Sequence, residues 1–233
     1  MQETRRTVDF RDLRTHRQMW QTIARDIKED IINGVYQPEE RLMEADLALR
    51  YSVSKTPVRE ALRYLESVGF VEIIPHTMTI VKGMDEKDVR NFSFVQGALE
   101  GLAARLSIQN LTRSDFDRMQ GYVTLLEKYA EESVARHAAQ YEKVHFKFHA
   151  SIWDLSGNDR LIELAKNNHE HLERFRSVFR RFPGRFRSIA YDHRRILEAI
   201  HEKDGEKAEK LARRHIDRYA EIIAEALQKE TGL

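Results

Sequence analysis

Apolar residues at the start of the chain recur at the period of an α-helix. From residue 16 to residue 33 they occupy every fourth position until Asn33-Gly34 stops the pattern, which predicts a first helix. A second, short helix is predicted near residues 44–51. Ser54 is suited to cap a third helix, because it stands just before a new helical pattern with Pro57 in its first turn.

Two short segments after the third helix, which ends near Gly69, favour strands instead. Residues 70–74 and 78–81 are rich in β-branched side chains and Pro75 lies between them, so they predict two strands around a turn. Three helices, the second of them short, followed by a hairpin are typical of a winged helix-turn-helix. We therefore assign residues 10–82 to one such domain.

Beyond Lys82-Gly83 the apolar positions keep the helical period to the end of the chain. Residues 84–230 are expected to form an all-α domain of about six helices. The predicted helices are 86–108, 112–131, 134–155, 159–182, 187–203 and 205–229. The predicted fold class is therefore mostly α, with an N-terminal winged helix-turn-helix followed by an all-α helical bundle.

Composition narrows the class of protein. Only 10 Gly and 4 Pro occur in 233 residues, which favours helices over turn-rich β architecture. The absence of cysteine excludes a disulfide scaffold, a Cys-based zinc ribbon and a thiol nucleophile. No apolar run suits a membrane span or a signal peptide, so a cytoplasmic protein with no membrane partner is expected. The net charge is +1, so any nucleic-acid binding must depend on local placement of charge.

The third predicted helix has the features of a helix that enters the major groove of double-stranded DNA. The polar residues expected on its exposed face are Ser54, Lys55, Thr56, Arg59 and Arg63. Arg59 could reach guanine O6 and N7 or a phosphate, whereas Ser54, Thr56 and the free N–H groups of the helix start suit phosphate oxygens. Arg50, at the end of the short helix, could contact a phosphate or equally be a solvated surface charge.

This N-terminal segment closely resembles the GntR family of transcriptional regulators. Its most specific match is Val53-Ser54-Lys55-Thr56-Pro57-Val58-Arg59-Glu60-Ala61-Leu62, and the resemblance, which covers about residues 17–82, implies operator DNA as the partner. Three positions depart from the family pattern: Glu39 replaces a usual glycine, Lys55 a usual arginine, and Thr77-Met78 the Arg-Gly of the wing. Lys55 lacks the bidentate fork of arginine, so weaker or differently aimed base readout is expected there. In the wing, His76 remains as the candidate minor-groove contact.

Four of the ten histidines fall on apolar stripes of predicted helices. His145 and His149 are four residues apart on one helix and therefore share a face. His193 and His215 lie among apolar residues at helical spacing on two further helices. Inward-facing imidazoles on three helices of one bundle could converge on a divalent metal. The alternative interpretation is a set of hydrogen-bonded core histidines.

The helical domain resembles the FCD type of effector domain in the FadR-like branch of the GntR family. The matching segments are Phe148-His149 with residues 155–158, residues 193–200, and Ala212-Arg213-Arg214-His215. The resemblance implies a metal held by an aspartate and three histidines, and His145 stands at the position of that aspartate. A set of four neutral imidazoles, His145, His149, His193 and His215, favours Zn²⁺ or Ni²⁺ over Mn²⁺ as the cofactor.

The same resemblance implies a small carboxylate metabolite as effector. Gln96 stands shortly before Leu99-Glu100, where the family usually has an arginine. Gln96 is therefore the candidate effector-binding residue of this helix. Because an amide lacks the positive charge of a guanidinium, the effector carboxylate is expected to depend more on the metal.

Together these features predict a metabolite-responsive DNA-binding regulator, expected to act as a repressor. A homodimer is expected because one small module makes too few contacts for specific affinity. One alternative is a regulator in which the metal itself is the signal. A less favoured alternative is an all-α metal-dependent hydrolase or isomerase, for which no carboxylate near His145 and His149 is clearly placed as acid or base.

Two arginine-rich stretches have competing interpretations. Residues 174–187 interleave Arg with Phe, as in some nucleic-acid-binding surfaces, but the spacing of Phe175, Phe179 and Phe182 favours a helix core stripe. The basic arm of residues 5–17 could equally contact DNA phosphates or form a loose terminus.

Overall fold

The computed structural model describes residues 16–75, 77–132, 134–182 and 184–231. Inter-residue contacts divide the chain into two compact units, Met1–Met84 and Asp85–Leu233. Most described residues are helical and the few strands belong to the first unit, which confirms the predicted fold class. In the described part of the chain, no helix combines the length and the apolar character that a membrane span requires. The basic arm lies mostly outside the described residues.

The first unit contains the predicted three helices and hairpin, with one additional strand. Its elements are α1 (His16–Ile32), β1 (Arg41–Leu42), α2 (Glu44–Tyr51), α3 (Lys55–Ser67), β2 (Val71–Ile74) and β3 (Met78–Val81). The strands form an antiparallel sheet in the order β1-β3-β2. The periodicity did not predict β1, because a strand of two residues shows no alternation. Apolar side chains of all three helices and of the sheet form one core, which fixes the outer face of α3.

Glu39 occupies a backbone conformation that favours glycine. Its φ is 67°, in the left-handed region, and its N–H donates to the Val81 carbonyl at 2.9 Å, which joins the start of β1 to β3. A side chain in this region costs about 1–2 kcal/mol per residue relative to the right-handed region. The usual glycine at this position therefore has a physical reason, and Glu39 strains the turn.

Glu39→Gly is expected to stabilise the sheet by about 1 kcal/mol, because relief of the strain exceeds the added entropy of the unfolded chain. Amide hydrogen exchange of β3 in the full chain measures this as slower opening. Glu40→Gly is the matched control, and it should speed opening, since the Glu40 carboxylate accepts from the Gln37 N–H at 2.9 Å. Unchanged or faster exchange in Glu39→Gly would show that the turn is not strained.

The second unit is entirely helical in its described residues. Its elements are α4 (Glu86–Ser107), α5 (Arg113–Glu132), α6 (Val134–Leu155), α7 (Asp159–Glu173), α8 (Arg176–Arg180), α9 (Arg185–His201) and α10 (Gly205–Thr231). The prediction of one continuous helix over residues 159–182 is wrong, because this segment breaks into α7 and α8. At the break the Phe175 N–H donates to the Leu172 carbonyl, an i→i−3 bond that tightens the turn. The regular spacing of the aromatic residues continues through this break and conceals it.

Buried aromatic side chains account for the Arg-Phe stretch. Phe175 is fully buried, Phe179 is nearly so and Phe182 is half-buried, which confirms the interpretation of this stripe as part of the core. Phe186 is nearly fully buried as well. Elsewhere in the unit α4 packs closely on α10. A Cβ added at Gly101 of α4 would lie 2.8 Å from Cγ of Arg213 in α10, so the small residue permits this approach. The close packing places α4 and α10 side by side.

Candidate functional site

The outer face of α3 is polar and open to solvent. Ser54, Lys55, Thr56, Arg59 and Arg63 are all exposed, while Val58, Leu62 and Leu65 are buried, as the sequence predicts. Ser54 precedes the helix in an extended conformation, and its hydroxyl makes no capping hydrogen bond. The hydroxyl and the first N–H groups of α3 therefore remain available to an anion such as a phosphate.

Glu44 holds the guanidinium of Arg59. Nε of Arg59 lies 2.8 Å and 3.0 Å from the two carboxylate oxygens of Glu44, the first residue of α2. The Arg59 side chain is still 56% exposed, so it remains accessible to a base or a phosphate. Sequence reasoning did not identify this pair, because fifteen residues separate its members and no periodicity links them.

Hydrogen bonds to residues of its own unit hold the side chain of Arg50. Its guanidinium donates to Asp26 at 2.9 Å and to Asp30 at 2.6 Å, both on α1, and also to the Tyr36 hydroxyl. Although burial works against its charge, the hydrogen bond to Asp30 and the neighbouring groups raise the pKa of Arg50. The structure thus holds Arg50, near the end of α2, against α1 with only 10% of its side chain exposed, so the interpretation as a solvated surface charge is wrong. His76 lies outside the described residues.

The second unit brings four histidines from three helices together. His145 and His149 lie on α6, His193 on α9 and His215 on α10, and one ring nitrogen from each falls within 4.8 Å of all the others. Nε2 of His149 is 3.3 Å from Nε2 of His145 and 3.2 Å from Nε2 of His193. We call these four residues the histidine quartet.

Burial disfavours the charged form of three rings of the quartet. It lowers the pKa of His145 and His193 well below the ordinary value, and neighbouring histidines lower it further. The pKa of His215 is also lowered, again mainly by burial. A neutral imidazole carries a lone pair on one nitrogen, the protonation state that a metal ligand requires. The donor set therefore fits a divalent metal of the Zn²⁺ or Ni²⁺ type.

A buried carboxylate orients the ring of His149. Oε2 of Glu100, a residue of α4 that is only 2% exposed, lies 3.1 Å from Nδ1 of His149. Burial favours the protonated form of Glu100, but His149 and the hydrogen bond from Gln96 outweigh it and lower the pKa of Glu100. Because the ionised carboxylate accepts the Nδ1–H of His149, the lone pair of His149 is left on Nε2, towards the other histidines.

Glu100 has further hydrogen-bond donors of its own. Nε1 of Trp153 donates to its Oε1 at 2.8 Å, and Nε2 of Gln96 donates to the same oxygen at 2.9 Å. Sequence reasoning did not identify Glu100 as part of the site, because His149 is 49 residues away in the chain. The sequence did contain part of the signal for Glu100, because it is the one carboxylate on the apolar face of α4.

The Gln96 side chain donates a hydrogen bond to Glu100 and does not line the cavity that lies beside the quartet. It is fully buried, and its Oε1 accepts from Nδ2 of Asn168 at 2.9 Å. Gln96 is absent from the described residues that line the neighbouring cavity. The structure thus separates the predicted effector-binding residue from the cavity, since both ends of its amide are already bonded within the core.

A cavity opens directly beside the quartet. Its wall includes His145, His149 and His215 together with Glu100. An aromatic wall extends it, formed by Tyr141, Phe146, Phe179, Phe186 and Tyr219. His169 also lines it, and burial lowers the pKa of His169 to about 4. A partly open, largely apolar space next to four imidazole nitrogens is suited to a small organic ligand.

The charged residues of the cavity lie close together. Nη1 of Arg176 is 3.0 Å from Oε2 of Glu142 and 3.6 Å from Oε1 of Glu173. Among the described residues that line the cavity, Arg176 is the only arginine or lysine. We call Arg176, Glu142 and Glu173 the charged group of the cavity. It carries two carboxylates for one guanidinium.

Two family models match the chain. The FCD domain matches residues 93–218, which include all four histidines, and the gntR family of bacterial regulatory proteins matches residues 20–81, which include α3. The HTH-type transcriptional regulator YdhC of Bacillus subtilis is 28% identical over 208 residues, covering 87% of this chain and 90% of that protein. The HTH-type transcriptional repressor RspR of Escherichia coli is 22% identical, covering 91% of each chain.

A solved structure supports the same fold. Escherichia coli McbR/YncC superimposes with a TM-score of 0.73 at 23% identity, covering 88% of this chain and 96% of that one. The FCD match alone extends over more than half of the chain. The protein therefore belongs to the GntR family of transcriptional regulators, with an N-terminal GntR helix-turn-helix domain and a C-terminal FCD domain.

Proposed function

We propose that this regulator binds operator DNA as a homodimer, and that a small organic acid bound at a metal in the FCD domain controls its operator affinity. The observation that carries the proposal is the histidine quartet, with its nitrogens facing one another beside a cavity. Glu100 supports it, because a carboxylate behind a ligating histidine fixes the tautomer that a metal needs.

His145, His149, His193 and His215 would hold the metal, and Zn²⁺ or Ni²⁺ suits an all-imidazole set. Such an ion supplies a Lewis-acid centre that attracts a carboxylate. The protein contributes imidazole nitrogens, a buried environment that strengthens electrostatic attraction, and a cavity of limited size. The effector is therefore expected to place its acid group at the quartet and the rest of the molecule along the aromatic wall.

Operator contacts are proposed for the exposed face of α3. Arg59 and Lys55 would address base edges, while Ser54, Thr56 and Arg63 would contact phosphates. Arg50 is left out of this proposal, because Asp26 and Asp30 already hold its guanidinium. The relative RspR is named a repressor, and by analogy we propose that the effector releases this protein from its operator.

Exposed apolar residues on α4 support the homodimer. Phe94 is 79% exposed, Val95 48% and Leu102 42%. At 3.6 residues per turn they lie within an arc of about 100° around the helix axis, so they form one patch. A second copy of the chain is the proposed occupant, because a two-fold pair of helix-turn-helix domains matches two operator half-sites and a self-complementary patch forms such pairs.

Phe94→Glu is expected to shift the protein from dimer to monomer and to weaken operator binding, since two buried charges would face each other across the two-fold axis. Sedimentation velocity at several protein concentrations measures the change. Leu125→Glu, a charge placed on an exposed apolar residue of α5, is the control and should leave the dimer intact. A dimer of unchanged stability in Phe94→Glu would place the interface elsewhere.

Elemental analysis of protein purified without chelator or histidine tag tests the metal, and about one Zn²⁺ or Ni²⁺ per chain is expected. Gel-shift titration on operator DNA selected from a random library then tests the response. Addition of effector acids to the metal-loaded protein should release the DNA. Metal well below one per chain would identify the quartet as core packing and would reject the proposal.

A second function is favoured by one observation. Four protein nitrogens are the number of ligands that Zn²⁺ takes in closed structural sites, so a metal held by all four histidines would leave no position for an acid. In that case the metal itself is the signal. Operator affinity that changes with added metal, and not with any acid, would identify a metal sensor.

A further inference from the structure

A series of hydrogen bonds leads from the quartet through α4 to α7. Phe92, Gln96 and Glu100 follow one another at intervals of four residues and therefore share one face of α4. On this face Nε2 of Gln96 donates to Oε1 of Glu100 at 2.9 Å, and Oε2 of Glu100 lies 3.1 Å from Nδ1 of His149. From α7, Nδ2 of Asn168 donates to Oε1 of Gln96 and to the backbone carbonyl of Phe92, at 2.9 Å in each case. We call the side chains of Asn168, Gln96, Glu100 and His149 the relay.

The Asn168 end of the relay has a fixed direction. A backbone carbonyl can only accept a hydrogen bond, so the Phe92 carbonyl requires the NH₂ group of Asn168 and not its oxygen. The second hydrogen of this NH₂ group then serves Oε1 of Gln96. The amide oxygen of Gln96 is thereby held towards Asn168, and its NH₂ group towards Glu100. The reverse orientation of Gln96 would set two acceptors against each other at Glu100.

Trp153 fixes the other end of the relay independently. An indole N–H can only donate, and Nε1 of Trp153 donates at 2.8 Å to Oε1 of Glu100, the oxygen that also accepts from Gln96. Two donors on Oε1 stabilise the carboxylate and leave Oε2 to accept the Nδ1–H of His149. Because the side chains of Gln96, Glu100 and His149 are at most 2% exposed, water does not readily replace a lost donor.

From these fixed directions we infer that Asn168 is a positioning residue of the proposed metal site. It acts through Gln96 and Glu100, and it holds His149 in the tautomer with the proton on Nδ1. The lone pair then lies on Nε2, which is 3.3 Å and 3.2 Å from the nearest nitrogens of two other histidines of the quartet. A glutamine has both a donor and an acceptor end, so it needs such a partner to choose its orientation. The inference rests on the proposed function for its link to the metal.

Asn168→Asp tests the relay, because it exchanges the NH₂ group for an acceptor and keeps the size of the side chain. Gln96 is expected to turn its amide round, which sets its oxygen against Glu100 and weakens the hold on His149. Zn²⁺ affinity of the full chain, measured by competition with a chelator, should fall about tenfold, the lower end of the range for a supporting hydrogen bond. Asn167→Asp adds the same charge at an exposed neighbour in α7, and this matched control should keep the wild-type affinity. Wild-type Zn²⁺ affinity in Asn168→Asp overturns the inference.

The tautomer of His149 is a second readout, which a merely structural role of Asn168 would not change. In metal-free protein with ¹⁵N-labelled histidine, two-bond ¹H–¹⁵N correlation spectra distinguish Nδ1–H from Nε2–H, and the signal missing from His149→Ala assigns the ring. The wild type should show Nδ1–H, and Asn168→Asp should show Nε2–H or a mixture. An Nε2–H tautomer in the wild type overturns the inference. An unchanged tautomer in Asn168→Asp also overturns it, even if Zn²⁺ affinity falls, because Asn168 would then support the fold alone.

Asn168→Leu and Gln96→Met, which replace each amide by an apolar side chain of similar size, test whether Asn168 acts through Gln96. Neither adds a charge, so they keep the inference falsifiable if Asn168→Asp folds poorly. Each single variant should weaken Zn²⁺ binding, and the double variant should match Gln96→Met within about twofold, because no amide remains for residue 168 to orient. Additive losses in the double variant would show that Asn168 acts by another route, and they overturn the inference.

Failure of the inference and failure of the proposed function give different results. If the wild type and Asn168→Asp bind Zn²⁺ equally well, the positioning role is rejected and the proposed function stands. If the wild type binds neither Zn²⁺ nor Ni²⁺, the proposed function and the positioning role are both rejected, whichever tautomer His149 adopts.

Discussion

His149→Ala is expected to lose the metal and the effector response together while keeping most of its affinity for the operator. His149 is the member of the quartet whose Nε2 lies within 3.3 Å of both His145 and His193, and it alone contacts Glu100. Its removal takes away one ligand and the partner of a buried carboxylate. Metal affinity should fall by more than about 100-fold, beyond the range for loss of a supporting hydrogen bond.

The same variant should also destabilise the metal-free FCD domain by about 1–3 kcal/mol, because Glu100 loses a hydrogen-bond donor in a buried site. The face of α3 proposed to bind the operator contains none of the four histidines, which is why DNA affinity is expected to survive. Elemental analysis, thermal melting and gel shift measure the three effects. His201→Ala, an exposed histidine of α9, is the control and should keep its metal.

Two further variants keep this prediction decisive if His149→Ala folds poorly. His145→Ala removes a ligand without touching Glu100 and should lose metal with less loss of stability. His145→Asp restores the residue usual in the family, and it should keep metal but shift the preference towards ions that favour oxygen ligands, such as Mn²⁺. A metal content equal to that of the wild type in all three variants would show that the ion binds elsewhere.

Arg59→Ala is expected to abolish specific operator binding while the protein remains folded. A bidentate contact to a base contributes about 1–3 kcal/mol, and in a homodimer the loss occurs in both half-sites. The side chain is 56% exposed and is not part of the hydrophobic core of its unit, so unfolding is not expected. Gel shifts at fixed salt against selected and scrambled DNA measure the specific component.

Three further variants are compared with Arg59→Ala to interpret its effect on operator binding. Arg113→Ala removes an exposed arginine of the FCD domain and should change nothing. Lys55→Arg should be tolerated or should tighten binding, because the guanidinium restores a bidentate donor. Glu44→Gln keeps the size of the side chain and removes the charge that holds Arg59, so it should weaken discrimination between sequences more than total affinity. Operator binding of Arg59→Ala at the wild-type level would remove Arg59 from the proposed readout.

The quartet and the face of α3 could be predicted because each depends on local periodicity. Histidines at the apolar positions of three helices must point into the same bundle, and the polar positions of α3 must point out of theirs. Family membership then excludes the hydrolase or isomerase, since GntR proteins with FCD domains are transcriptional regulators. The periodicity of the helices carried no information about which protein family uses such a bundle.

Features that depend on tertiary contacts could not be predicted. Glu100 joins His149 across 49 residues, and Arg59 joins Glu44 across fifteen. The ion pairs that hold Arg50 between helices are of the same kind, since they link residues 20 and 24 positions apart. The break between α7 and α8 occurs inside a continuous aromatic spacing. Single-sequence periodicity describes one helix at a time, whereas these features are set by the neighbours that each helix meets.

The hydrogen bond from Trp153 to Glu100 provides the protein with a built-in optical reporter. The chain has two tryptophans: Trp153 beside the quartet, and Trp20 in the helix-turn-helix unit, with its ring 5.5 Å from that of Tyr64. Tryptophan emission from Trp20→Phe therefore comes from the FCD domain alone, and that from Trp153→Phe comes from the helix-turn-helix domain alone. Occupation of the quartet and engagement of DNA can thus be followed separately by fluorescence, without an added dye.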